Sequence, residues 1–346
     1  LCTLHKQFRR PIIMAAYISF QPSDYFCTRI WTGDESSRTI STGFQTDFFW
    51  GKCRSHGGDY YEHQLIDSVR GVTKILESNS ANVELTEAGR LTAFTADGPT
   101  IDESEELNQN TKTYVGWNWK AGTTSGLSGG TITPSAYSIS TTAGQSIIAY
   151  TGTGSAATLP HGLGATPDYI QVKRLDTTGA WLGYHKDLGG PNKYIILDRT
   201  GGVDTDTNVW NNTAPTSTVF SIGTDAACNG SGGTFIAYCY TNKKGYSQFG
   251  SYEGNGNADG TFVYTGFRPA FVMVKKTNGA EGWYMYDDKR AGYNADNNIL
   301  FANSDSAEDT TDTVDLLSNG FKWRATGGAY NGSSGEYIYM AFAEFP

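Results

Sequence analysis

The chain has 346 residues, with 42 Gly, only 10 Pro, and 8 Trp, 21 Tyr and 17 Phe, and 18% of it is charged. Apolar content of that size, without a heptad or Gly-X-Y period, excludes disordered, coiled-coil and collagen-like chains, and the length allows two or three domains. A net charge of −9 opposes the counterion release that nucleic-acid binding depends on, and no run approaches the roughly 18–20 apolar residues of a membrane-spanning helix, so neither nucleic acid nor membrane insertion is expected.

Residues 1–14 carry Lys6, Arg9 and Arg10 ahead of a short apolar run, and read either as an N-terminal arm or as an over-extended start before Met14. Three copies of one pattern follow. Each has a short alternating strand ending in Lys: Asp47-Phe-Phe-Trp-Gly-Lys52, Asp168-Tyr-Ile-Gln-Val-Lys173 and Ala270-Phe-Val-Met-Val-Lys275. Each closes on an aromatic strand: Tyr114-Val-Gly-Trp-Asn-Trp119, Phe235-Ile-Ala-Tyr-Cys-Tyr240 and Tyr337-Ile-Tyr-Met-Ala-Phe342. The separation from the Lys to the first residue of that strand is 62 in every copy, as expected of duplicated units under common packing constraints.

Fainter echoes accompany these anchors. Trp31-Thr-Gly33, Tyr150-Thr-Gly152 and Tyr252-Glu-Gly254 lie upstream, and Leu76, Leu197 and Leu300 fall at similar offsets. An acidic turn aligns Asp67, Asp187 and Asp288. Within each copy, β-branched and aromatic runs alternate with Gly/Asn/Asp/Ser clusters, which reads as an antiparallel sandwich. Gln64 to Glu77 is the best helical window, yet its β-branched content and Gly71 favour strand, turn, strand. The expected architecture is all-β, with three tandem antiparallel β-sandwich domains, jelly-roll or lectin-like, at 15–122, 131–244 and 245–346. Gly-rich 123–130 forms the linker between the first two, and Thr131 to Thr142 supplies a first strand to the second. The last two join directly through Asn242-Lys-Lys-Gly245, which should fix their orientation more tightly.

Catalytic and metal motifs are sparse. Gly250 to Gly260 has phosphate-loop-like glycines, but a strand rather than a helix follows, so a hairpin turn is expected. Asp204, Asp206 and Asn208, or Asp309, Asp312 and Asp315, offer oxygen ligands without the continuation of a calcium loop, and read as solvated loops. Glu103, Glu105 and Glu106 have no recognisable catalytic partner, and His161 in a Gly turn reads as a capping residue. Cys2, Cys27, Cys53, Cys228 and Cys239 are odd in number and widely spaced, so free thiols are expected. No cofactor and no metal is expected, and no catalytic residue stands out.

Aromatics in predicted loops carry the most plausible binding chemistry, since rings stack on sugars or fill a partner's pockets. The candidates are Trp181, Tyr184, Trp283, Tyr284 and Tyr330, with Tyr60, Tyr61, Trp210 and Tyr286 beside them. The closing strands carry large side chains on both alternation classes, so both sheet faces need cover. That favours contacts with further copies of the chain, most naturally as a trimer, or repeated docking on a capsid lattice.

Asp67-Ser-Val-Arg-Gly-Val-Thr-Lys74, Tyr114-Val-Gly-Trp-Asn-Trp-Lys-Ala-Gly122, Gly232-Gly-Thr-Phe-Ile-Ala-Tyr238 and the stretch Phe249 to Pro269 are family-like words, as is Tyr337-Ile-Tyr-Met-Ala-Phe-Ala-Glu344. Through them the chain from Tyr25 to Pro346 resembles virion structural proteins of marine bacteriophages, described as tail-fibre or structural proteins. The resemblance implies a lectin-like sandwich, a place on the virion after assembly in the host cytoplasm, and no known catalytic residues. It also implies other virion proteins as partners, with a host glycan or receptor as a further one. A secreted carbohydrate-binding or adhesive module is the alternative, and a glycan-active enzyme a lesser one.

Overall fold

The computed structural model describes residues 19–345 apart from 56–60, 292–293, 295–297 and 312. The N-terminal arm, Cys2, Tyr60 and Asp312 therefore lie outside the described residues. The fold is all-β, and every strand pairing in it is antiparallel.

One strand order occurs three times. In the first repeat β1 (Phe26–Thr32), β2 (Phe48–Cys53), β3 (Gln64–Asp67) and β4 (Thr113–Trp119) line up as β1-β4-β2-β3. In the second, β5 (Gln145–Thr151), β6 (Tyr169–Arg174), β7 (Leu182–His185) and β8 (Thr234–Tyr240) line up as β5-β8-β6-β7. In the third, β9 (Ser247–Glu253), β10 (Phe271–Lys276), β11 (Trp283–Asp287) and β12 (Glu336–Phe342) line up as β9-β12-β10-β11. The constant spacing is a register: Lys52 pairs with Val115, Lys173 with Ile236 and Lys275 with Ile338.

Each sheet packs one face on a smaller sheet of its own repeat, around Phe49 and Ile101, Leu159 and Phe220, or Val263 and Phe321. The other faces of all three sheets meet in one shared core. Residues of β2, β6 and β10 stack there in layers, with Phe48, Tyr169 and Phe271 in one and Trp50, Gln171 and Met273 in the next. The face that the sequence left uncovered is thus covered by the neighbouring repeats, which removes the packing reason for expecting further copies of the chain.

The three junctions around this core share one chemistry. Lys52, Lys173 and Lys275 are fully buried, and each ammonium donates to carbonyls of a loop in the adjoining repeat. Lys173 reaches Ala81 O and Asn82 O at 3.2 and 2.7 Å, Lys275 reaches Thr200 O at 2.9 Å, and Lys52 reaches Asp305 O at 2.9 Å. Burial pushes each lysine down to about 8. Two residues beyond each lysine, Leu175 O, Thr277 O and Arg54 O accept the N–H groups of Glu84, Val203 and Glu308, at 3.1, 2.9 and 3.0 Å. The second repeat holds the first, the third holds the second, and the first holds the third, so the ring closes.

Several sequence alignments shift by this register. Asp67 pairs with Phe48, and its equivalents are His185 and Asp287, not Asp187 and Asp288. Leu76 and Leu300 answer to Ile195, not Leu197, because Ile195 pairs with Gly183 as Leu300 does with Met285. The loop from Gly254 to Thr261 is not a hairpin turn, since β9 and the strand Phe262–Tyr264 belong to different sheets. Gln64 to Glu77 does form strand, turn, strand, with Gly71 at φ +98°. The Gly-rich linker is tied down: Thr123 bridges Ile139, and the Leu127 N–H donates to the Tyr137 hydroxyl.

The echo at Gly33, Gly152 and Gly254 has a steric cause. A Cβ there would lie 2.0, 2.4 and 2.4 Å from the carbonyl oxygens of Gln109, Gly230 and Gly332. Those loops bring in the buried amides of Asn108, Asn229 and Asn331, whose Oδ1 atoms accept the N–H groups of Asp34, Thr153 and Asn255.

In the shared core the second repeat departs from the others. Gln171 accepts from the Tyr169 hydroxyl, and its Nε2 has no partner beside a cavity of about 30 Å³. The double change Tyr169→Phe with Gln171→Met copies the third repeat and removes both polar groups together. It is expected to leave stability within about 1 kcal/mol of the parent or raise it, whereas Gln171→Met alone strands the hydroxyl and costs about 1–3 kcal/mol in urea unfolding.

Candidate functional site

Because the repeats share a frame, positions alike in all three hold the fold, and a site must lie where one repeat departs. Trp181 and Trp283 fall in the first class. Both are buried, not exposed in loops. The Trp181 indole donates to Glu77 O and Ser80 O at 2.9 and 3.2 Å, and that of Trp283 to Ile196 O at 2.9 Å. Trp283 pairs with the junction lysine Lys275, Trp181 stands just before β7 at the matching place, and both rings lie in the shared core between repeats, which is why neither reaches solvent.

His63 holds the same position in the first repeat, opposite Lys52 by the register of β2 and β3. Sequence reading passed over it. Its Nε2 meets Phe301 O at 2.9 Å, and its Nδ1 accepts from the Trp50 indole at 2.8 Å. His63 lies 11 residues after Lys52, whereas Trp181 and Trp283 lie 8 after their lysines, so only the strand pairing aligns it with them.

Tyr184 is buried against Trp210, ring edge to face at 6.1 Å, and Tyr61, Trp210 and Tyr286 are buried as well. The reading of these rings as exposed is corrected: each lies in the core that its repeat forms with its smaller sheet. His161 is a cap: its Nδ1 accepts the Leu163 N–H, as the hydroxyls of Thr42 and Thr265 accept the Phe44 and Phe267 N–H groups in the other repeats.

Tyr284 and Tyr330 are brought together in the third repeat and stay half-buried. Their ring centroids are 5.7 Å apart, Tyr284 meets Phe301 edge to face at 4.9 Å, and Tyr330 stacks on buried Trp323 at 4.9 Å. Strand pairing places Gln64 and Leu182 at the Tyr284 position, so this aromatic corner belongs to one repeat alone. Burial, with Glu281 and Asp309 nearby, pushes the Tyr284 phenol up to about 12. The phenols are thus neutral donors beside carboxylates, a set that stacks on the apolar face of a ring and hydrogen-bonds its hydroxyls.

Phe262 and Tyr264 form a second departure, 44% and 64% exposed on an edge strand of the smaller sheet. The first two repeats have Thr39 and Ser41, and Thr158 and Pro160, before the same cap. Alternation in Phe262-Val-Tyr264 was the available signal.

The acidic candidates do not converge. Asp206 accepts the Asn208 N–H, Asp309 accepts from Thr311, and Asp315 pairs with Arg324. Glu103 and Glu105 line an open cleft with Asp34 and Glu35, while Glu106 pairs with Arg90 at 3.0 Å. Among the described residues no three His, Cys, Asp or Glu side chains are grouped to hold a metal. Cys27, Cys53, Cys228 and Cys239 are free and buried, and burial pushes the Cys27 and Cys239 thiols up to about 12. No described helix is long and apolar enough to cross a membrane.

Junction rings and corner rings should separate in energy. Trp181→Ala and Trp283→Ala are each expected to cost about 3–5 kcal/mol in denaturant unfolding, and Tyr284→Ala about 1 kcal/mol.

A search of the curated proteins returns no match. The model of the DUF7483 family, a domain of unknown function, matches residues 21–346, and the chain with its three repeats belongs to that family.

Proposed function

We propose that the chain is a non-enzymatic virion structural protein, a tail fibre or capsid-decorating appendage of three tandem lectin-like β-sandwich domains. Its contact with a host-surface glycan or receptor is made through the aromatic corner of the third repeat. The observation that carries this reading is the confinement of the half-open rings Tyr284, Phe301 and Tyr330 to one repeat of an otherwise threefold frame. The words shared with phage virion proteins support the particle, and a rigid ring of interlocked sheets suits a part that bears load rather than turns over substrate.

Association with other copies or other virion proteins falls to Phe262 and Tyr264, since the sheet faces are already covered. A secreted carbohydrate-binding module would use the same corner, and imaging distinguishes the two readings. Antibody or gold labelling of this chain on purified particles is expected to mark a fixed position on the tail or head, and unlabelled particles would contradict the virion reading. Binding of the purified chain to host cells or a glycan array is expected to fall at least tenfold in Tyr284→Ala, with the melting temperature little changed. Unchanged binding in that variant would remove the corner from the account.

A further inference from the structure

Among the described residues, the two histidines buried between repeats both touch the third one. His63, from the first repeat, meets Phe301 O at 2.9 Å, and His185, from the second, meets Tyr339 O at 3.4 Å. In each ring Nδ1 is an acceptor, from the Trp50 indole at 2.8 Å and from the Asp187 N–H at 3.1 Å. The proton of the neutral ring therefore sits on Nε2, which donates to the third repeat's backbone. A second proton on Nδ1 would set one donor against another inside a closed interface.

Among the described residues, the junction between the first and second repeats has no histidine. It is held by Lys173, Trp181 and the Tyr238 hydroxyl, which donates to Asp67 at 2.8 Å beside Arg70. Nor is the third repeat joined by chain to the first, so that junction can part without breaking the linker at 242–245.

We propose that acid releases the third repeat from the other two, with His63 and His185 as paired proton sensors on its two junctions.

The surroundings favour the neutral rings in the closed state. His63 has Lys52 beside it, Glu62 before it, and Arg290 with the backbone of Phe301 and Ser304 across the junction. Arg290 is itself paired with Asp287 and Glu308. His185 has Lys186, Asp168 and Asp187 on its own repeat and the backbone of Tyr339 opposite. Burial holds His63 well below the ordinary histidine range and His185 at about 4. Below the exposed value of roughly 6.5, the open form binds protons that the closed form refuses. Closure is thus fully favoured above that pH and weakens as the pH falls, by up to tenfold per unit for each ring.

The equivalent backbone bonds of the three junctions supply the experiment. Hydrogen exchange of the intact chain at pH 7.5 and 5.0, corrected for intrinsic rates, is read at the amides of Glu308, Val203 and Glu84. Protection at Glu308 and Val203 is expected to fall by about thirtyfold or more relative to Glu84, from one and a half units per ring. The double variant His63→Gln with His185→Gln is expected to lose that selective fall. If all three amides of the parent chain change in step, or none changes, the proposal is overturned, whether or not the variant folds.

Discussion

A lysine ammonium buried between two repeats is the constraint around which this molecule is organised. Taking such a charge from water costs several kcal/mol unless carbonyl oxygens surround it, and its own sheet supplies at most one. Lys52, Lys173 and Lys275 find the rest on a neighbour's loop. Each repeat is therefore completed only by the next, and the shared core of large rings can form in one arrangement. Three equal junctions close on themselves, which gives a single chain the packing of a trimer.

Departures from threefold symmetry come as matched sets. Asp67 is held by Arg70 and receives the Tyr238 hydroxyl of the second repeat, and Asp287 is held by Arg290 and receives the Trp117 indole of the first. At the third such place the neighbour offers Met340, which has no strong donor, and the carboxylate and its arginine are replaced by His185 and Leu188. A buried carboxylate without its full complement of donors would be costly, so all three members change together. The same economy of environment explains why Tyr169 and Gln171 occur as a pair.

Much of this frame was legible in the sequence. The Lys anchors, the aromatic closing strands and their spacing are strand register written in one dimension, and the Gly echoes mark close backbone approaches. Asp187 and Asp288 misled because an acidic residue next to a turn resembles Asp67 by composition, while only hydrogen-bonded pairing shows that His185 stands in its place. Trp181 and Trp283 were read as loop rings because alternation reveals that a strand has two faces, not what covers the second. The corner of Tyr284 and Tyr330 was half legible: both were named, but their meeting depends on residues far apart in the chain, as does the role of His63.

The lysine series tests the closed ring most directly. Lys52→Met, Lys173→Met and Lys275→Met each leave two or three buried carbonyls without a donor, so urea unfolding should show one cooperative transition and similar losses of about 2–4 kcal/mol at all three positions. Lys52 decides the matter, because its junction joins repeats that no linker connects. A Lys52→Met chain as stable as the parent, or a parent chain that unfolds in separate steps, would contradict the account.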